Sequence, residues 1–282
     1  MFFVYSLLMG LAALILTPYW LLQSARHGKY LANLGQRLGF SFPGLRQSNA
    51  PEGAIWLHAV SVGEVLSSVA LARKLKAEHP DRALIVSTTT MTGQALARER
   101  LNFADGFLYF PLDWRFAVRR ALAAVRPAAM VIVETEIWPN FLRECAKQNV
   151  PVAFVSGRIS DRSFARYRRY LGVFGFYLRP LFRKTLSFAS IYLMQSESDA
   201  ERIRALGAPA ERVRVAGNLK YDLALPAPTP ISIWLGQEAA RLAVWNFLQA
   251  AQRAFAAAIR FRGLQGQCLS PPGDHFSVKL NR

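Results

Sequence analysis

The residue with the most chemical potential in this sequence is a carboxylate placed where a strand gives way to a helix. An apolar run, Ile55 to Val60, leads into Ser61-Val62-Gly63-Glu64, and an apolar-periodic helix follows from Val65 to about Lys76. In a parallel α/β sheet, ligands bind in the crevice outside the carboxyl ends of the strands, so Glu64 would project into that crevice. There it could serve as a general base, with Ser61 and Gly63 lining the approach to it. Alternatively, an acid in a first helical turn is simply favoured by the macrodipole, by about 0.3–1 kcal/mol. The same dipole depresses the carboxyl pKa, whereas an efficient base titrates near the working pH. From spacing alone the helix-start reading is favoured; a second acid nearby would reverse the shift.

A second acid is available. Val131-Ile132-Val133-Glu134-Thr135-Glu136-Ile137-Trp138-Pro139-Asn140 is again a buried strand that delivers acids at its end. Glu134 could face Glu64 across the crevice; equally, Thr135 and Glu136 could open a helix with Pro139 in its first turn. Other strand ends carry weaker signals. Thr88 to Gly93 offers hydroxyls and helix-start amides that could hold a phosphate, with Thr92 and Gly93 as candidates. It lacks the Lys-Ser/Thr pair of a P-loop, and capping alone explains it. Arg158 and Arg162, in the turn Ser156 to Ser163, are spaced to clamp a phosphate or carboxylate, although loop arginines are often only solvated. Lys220, in Gly217-Asn218-Leu219-Lys220-Tyr221-Asp222, adds a positive charge after another strand. His58 lies inside an apolar strand and reads as a core histidine. Cys145 and Cys268 form no CxxC, and no metal-ligand cluster or nucleophilic triad competes with the acids.

These positions depend on a regular alternation. Strands are expected at 55–60, 83–87, 107–111, 129–133, 150–155, 190–195 and 213–216. Helices are expected at 65–79, 93–101, 114–125, 138–147 and 198–206. This rhythm predicts a Rossmann-like, doubly wound parallel sheet. The stretch from Ser163 to Leu186 breaks the pattern by interleaving arginines with Phe and Tyr. An amphipathic helix packing its aromatics on the core, or a helix lying on anionic lipid, explains it better than single-stranded nucleic acid.

The chain of 282 residues has 35 Lys and Arg against 18 Asp and Glu, a net charge of +17. Such a charge selects an anionic partner without specifying the fold. Residues Met1 to Leu22 carry no charged side chain, and Arg26, Lys29 and Arg37 follow. That pattern predicts a membrane-anchor helix over 1–22 with the rest of the chain on the cytoplasmic side; a tilted or monotopic anchor also fits, because Pro18 could kink the helix. Residues 23–53 read as a basic linker, 54–223 as the Rossmann-like domain, and 224–282 as an Ala-rich tail.

Taken in order, His58 to Glu64, Glu134 to Asn140, Arg158 to Ser163 and Gly217 to Asp222 resemble the 3-deoxy-D-manno-octulosonic acid (Kdo) transferases of lipopolysaccharide synthesis. Gln195, Asp199 and Leu206-Gly207 also fit. The resemblance implies an inverting, metal-free glycosyltransferase of the GT-B type at the cell inner membrane, moving Kdo from CMP-Kdo to a lipid A precursor. It implies Glu64 as the base and Glu134 and Lys220 as transition-state stabilisers, with no cofactor and no nucleic-acid partner. The family carries its donor site in a second Rossmann domain, which nothing after about Asp222 resembles. The expectation is therefore a chain with the acceptor half, the second domain absent, and little or no activity by itself. The competing expectation is a non-enzymatic, membrane-bound protein that binds anionic lipid.

Overall fold

The computed structural model describes residues 1–27, 33–45 and 53–219. In chain order its elements are α1 (Phe2–His27), α2 (Leu34–Arg37), β1 (Ala54–His58), α3 (Val62–Glu78), β2 (Leu84–Thr88), α4 (Met91–Arg100), β3 (Gly106–Tyr109) and α5 (Arg115–Val125). There follow β4 (Pro127–Val133), α6 (Pro139–Lys147), β5 (Val152–Gly157), α7 (Asp161–Val173), α8 (Gly175–Leu186), β6 (Ile191–Met194), α9 (Glu197–Ala205) and β7 (Val213–Val215). The tail 224–282 and Lys220 lie outside the described residues.

The seven strands form one parallel sheet in the order β3-β2-β1-β4-β5-β6-β7, as the alternation predicted. Strands covered on both faces need apolar residues at successive positions, which explains runs such as Ala54–His58 and Pro127–Val133, buried throughout. The period of two still divides them. Trp56, Met130 and Ile132 face one core, with Phe141 and Phe154; Ile55, Leu57, Val131 and Val133 face the other, with Val65 and Leu71. Consequently α3 packs on one face and α6 on the opposite one. Strand order reverses between β1 and β4, so the chain diverges there and leaves a crevice.

Helix starts account for most local differences from the expected bounds. α3 begins at Val62, with Ser61 as its N-cap, three residues before the first apolar-periodic position. α4 begins at Met91, where the Thr90 side chain accepts from the Gly93 amide. Residues 33–45, inside the stretch read as a linker, pack on the domain. The Gln36 side-chain oxygen accepts from the Tyr109 amide at 2.6 Å, and Leu45 forms an antiparallel bridge with Gly106.

The expectation of a spanning anchor is corrected. Among the described residues no helix is long and apolar enough to cross a membrane. α1 instead docks its first turns on the domain. The Tyr5 hydroxyl donates to Asp113 at 2.9 Å, the Asn140 side-chain amide donates to Ser6 Oγ at 3.0 Å, and Arg143 sits over the Phe2 ring at 4.8 Å. Hydropathy could not reveal these contacts, because the partners lie more than a hundred residues away.

Asp113 is the centre of that docking. Its carboxylate accepts from the Asn140 and Phe141 amides at 3.0 and 2.7 Å, capping α6 from a distant loop. Burial pushes its carboxyl up to about 6 against the lowering effect of the Asn140 and Phe141 amides and the Tyr5 hydroxyl. Asp113→Ala would leave two buried helix-start amides and the Tyr5 hydroxyl without an acceptor. Urea denaturation is expected to show a loss of about 2 kcal/mol, whereas replacing an exposed acid such as Glu99 would cost almost nothing.

Candidate active site

The turn after β1 folds Glu64 back on itself. Its carboxylate accepts from the Val60 amide at 2.7 Å and from the Ser61 hydroxyl at 3.0 Å. The side chain is nearly buried, and Ser61 Oγ is directed to the acid rather than to a helix amide. This is a variant of the capping box, so the helix-start reading of Glu64 is correct in its geometry. A Cβ at Gly63 would meet nothing within 4 Å, so packing does not require glycine there and the rim of the crevice stays open.

The turn after β2 is pressed against the first. The Thr89 and Thr90 amides both donate to the Val60 carbonyl, at 3.3 and 3.4 Å. A side chain at Gly93 would lie 2.7 Å from Thr90 Oγ1 and 3.3 Å from the Val60 carbonyl oxygen, so this approach requires glycine. The N-termini of α3 and α4 thus lie side by side, with Thr92 exposed on the rim. Beneath them His58 is fully buried, stacked on Phe110 at 4.0 Å, with Nδ1 at 2.9 Å from Ser87 Oγ. Its Nε2 has no hydrogen-bond partner among the described residues. Burial holds its pKa down to about 3, so the core-histidine reading holds and it stays neutral.

The acids after β4 are not arranged as alternation would place them. Glu134 adopts a left-handed backbone with φ 60, and its amide donates to the Val155 carbonyl at 2.8 Å. Thr135 Oγ1 accepts from the Arg158 amide at 2.9 Å, tying this loop to the turn after β5. Glu136 does not start the helix: Trp138 occupies the N-cap position of α6, which has no acid in its first turn. Instead Glu136 is partly buried, and its carboxyl is raised from an ordinary 4.5 to about 7. Burial is the largest cause, then the charge of Glu64, with Glu134 contributing less and the nearby Trp138 side chain opposing. Sequence spacing could not show that Glu136, one residue past Thr135, is raised by the charge of Glu64; the signal available was the Glu-Thr-Glu spelling itself.

Polar groups close the other side of the crevice. Ser156, also left-handed with φ 54, accepts at Oγ from the Gln195 side-chain amide at 3.1 Å and from the Leu219 amide at 3.2 Å. Asp199 accepts from the Ile159 amide at 2.8 Å. Arg158 and Arg162 are both exposed; Arg158 enters the site through its backbone, and Arg162 lies in the first turn of α7. Among the described residues no group of three or more His, Cys, Asp or Glu is placed to hold a metal ion.

The family model for 3-deoxy-D-manno-octulosonic-acid transferase (kdotransferase) matches residues 32–223. A 3-deoxy-D-manno-octulosonic acid transferase of Haemophilus influenzae is 34% identical over 224 residues, covering 79% of this chain and 49% of the relative. The Bordetella pertussis protein of the same description is 34% identical over 231 residues, covering 79% and 50%. A bifunctional glycosyltransferase/methyltransferase of Fusobacterium nucleatum is 33% identical over 224 residues, covering 79% and 32%. The chain thus spans about half the length of the two transferases and a third of the bifunctional protein.

The Glu136 shift has a signed consequence. Its folded pKa lies above its unfolded one, so the folded chain keeps a proton that the unfolded chain has lost between pH 4.5 and about 7. Stability contributed by this group therefore falls as pH rises through that window. Glu136→Gln, which has no proton to lose, is expected to melt with the wild type near pH 4.5 and about 5 °C above it beyond pH 7. A difference independent of pH would show that Glu136 is not in the acid pair.

Proposed function

Because this chain belongs to the 3-deoxy-D-manno-octulosonic-acid transferase family, we propose that its crevice transfers Kdo from CMP-Kdo to the sugar of a lipid A precursor. The observation that carries this reading is Glu64, held by the Val60 amide and the Ser61 hydroxyl at the strand-order reversal, within the residues that match the family. Glu64 acts as the base. It takes the proton of an acceptor hydroxyl, whose oxygen then attacks the anomeric carbon of Kdo. The bond to the phosphate of CMP breaks, and its electron pair leaves with CMP.

The surroundings of Glu64 suit that role. The Val60 amide, the Ser61 hydroxyl and the α3 dipole favour the carboxylate, while the neighbouring acid disfavours it. Glu134 and Lys220 are assigned to stabilise developing charge, a task a cation performs well at a departing phosphate. Ser61, Gly63, Thr92, Gly93, Arg158 and Arg162 are assigned to hold substrate, the first four on the two apposed helix starts. No cofactor is needed for a displacement of this kind. Membership of a transferase family argues against the non-enzymatic lipid-binding reading.

We assign the protein to the cytoplasmic side of the inner membrane, with α1 lying in the interface rather than crossing it. Phe3, Leu7, Leu8, Leu11, Leu14 and Ile15 are exposed along α1, an apolar face suited to lipid. α1 passes from Arg143 in α6 to the Asn140 end and then beside Trp114, so it leads from the domain toward the catalytic edge of the sheet. That route would bring a lipid-borne acceptor to Glu64.

Glu64→Gln is the test. In the chain joined to the second Rossmann domain of a full-length relative, transfer of Kdo from CMP-Kdo to the lipid A precursor is expected to fall about 10²–10⁴-fold, the usual contribution of a positioned base, with acceptor binding retained. Undiminished transfer would remove Glu64 from the mechanism.

A further inference from the structure

The basic, aromatic stretch after β5 folds into a helical hairpin of α7 and α8, closed by the Arg179 side chain donating to the Leu171 carbonyl at 3.1 Å. Packing accounts for only three of its seven aromatics. Phe164, Tyr167 and Phe182 turn inward against the core, where Tyr167 and Phe182 meet edge to face at 5.6 Å. The rest sit at and beside the turn between the helices and face outward: Phe176 is 86% exposed, Tyr177 67%, Phe174 56% and Tyr170 50%. Four large side chains exposed together at a convex tip are not explained by folding.

Their charge environment narrows the partner. From residue 162 to residue 196 the sequence contains Arg162, Arg166, Arg168, Arg169, Arg179, Arg183 and Lys184, and no Asp or Glu. Arg166, Arg168 and Arg169 on α7, and Arg179, Arg183 and Lys184 on α8, are exposed. At 1.5 Å per residue they stand within roughly 15 Å of the tip along the helix axes. An apolar tip with a collar of cations behind it matches the profile of an anionic bilayer surface. The tip would reach about 5–10 Å into the boundary between headgroups and acyl chains, with the collar at the phosphates. Single-stranded nucleic acid needs instead a groove that tracks its backbone, with bases stacked along it. A protruding tip supplies none.

We propose that the α7–α8 hairpin is a second membrane contact, separate from α1, that inserts Tyr170, Phe174, Phe176 and Tyr177 into the interface of an anionic bilayer. The inference does not rest on the transferase reading, since it requires only lipid. Its position does bear on the site. α7 starts in the turn that is bonded to Thr135, and the charge of Glu136 raises the Tyr167 hydroxyl after burial does. Seating the tip in lipid therefore holds the acid pair near the membrane surface.

The test compares the full chain with F174S/F176S/Y177S and with R168E/R169E by vesicle flotation. Phosphatidylglycerol vesicles, phosphatidylcholine vesicles and a single-stranded RNA oligonucleotide serve as probes. Partitioning to phosphatidylglycerol is expected to fall at least tenfold in both variants, with circular dichroism and melting unchanged because every altered side chain is exposed. The wild type should bind phosphatidylcholine weakly and lose phosphatidylglycerol binding as salt rises. Undiminished phosphatidylglycerol binding by F174S/F176S/Y177S would overturn the proposal, because α1 alone would then carry the contact. A loss confined to RNA would overturn it in favour of a nucleic-acid surface.

Discussion

The parallel pairing of β1 with β4 is the constraint on which the rest of this structure depends. His58 lies opposite Ile132 in that ladder, so the chain leaves both strands at adjoining points of one edge. α3 then crosses to one face of the sheet and α6 to the other. A crevice results, and the first residues past each strand end line it. Those residues are Ser61 to Glu64 on one side and Glu134 to Glu136 on the other. The carboxyl of Glu136 thereby comes under the charge of Glu64, which adds to burial in raising it.

Such an arrangement costs energy and has to be held. Glu134 and Ser156 both take left-handed backbones without being glycine, at a cost of about 1–3 kcal/mol each. Each is bonded from several directions. Glu134 is tied to Val155, its neighbour Thr135 to Arg158, and Ser156 to Gln195 and Leu219. These bonds join the ends of β4, β5 and β6 and the segment after β7 into one network. Strain at two residues persists because four segments would have to move together to relieve it.

The strand-turn-helix spelling made Glu64 legible, because local composition determines that geometry. The sheet was legible for a similar reason: strands buried on both faces must be apolar throughout. Glu136 was not singled out. The loop that places it passes through a positive φ at Glu134, and nothing in that side-chain type announces one, as a glycine or asparagine would. The docking of α1 was hidden for a different reason. An uncharged run of this length scores as a span, yet Tyr5 and Ser6 find Asp113 and Asn140 only after the sheet has assembled. Asp113 itself reads as an ordinary loop acid, and its role as a cap is created by tertiary contact. Contacts between residues far apart in sequence leave no periodic trace.

α6 is where these parts meet. Its N-terminus is capped by Asp113 and directly follows the loop that carries Glu134 and Glu136. α1 rests on it through Asn140 and Arg143, and α8 packs along it. The two surfaces proposed to touch lipid are therefore mounted on one short helix, whose first turn continues the acid loop. Phe141, Leu142 and Cys145 fix that helix in the core, all fully buried. A well-packed interior has low compressibility and transmits displacement instead of absorbing it. In the proposed arrangement, the parts meant for lipid and the acid loop meant for catalysis thus meet on one helix.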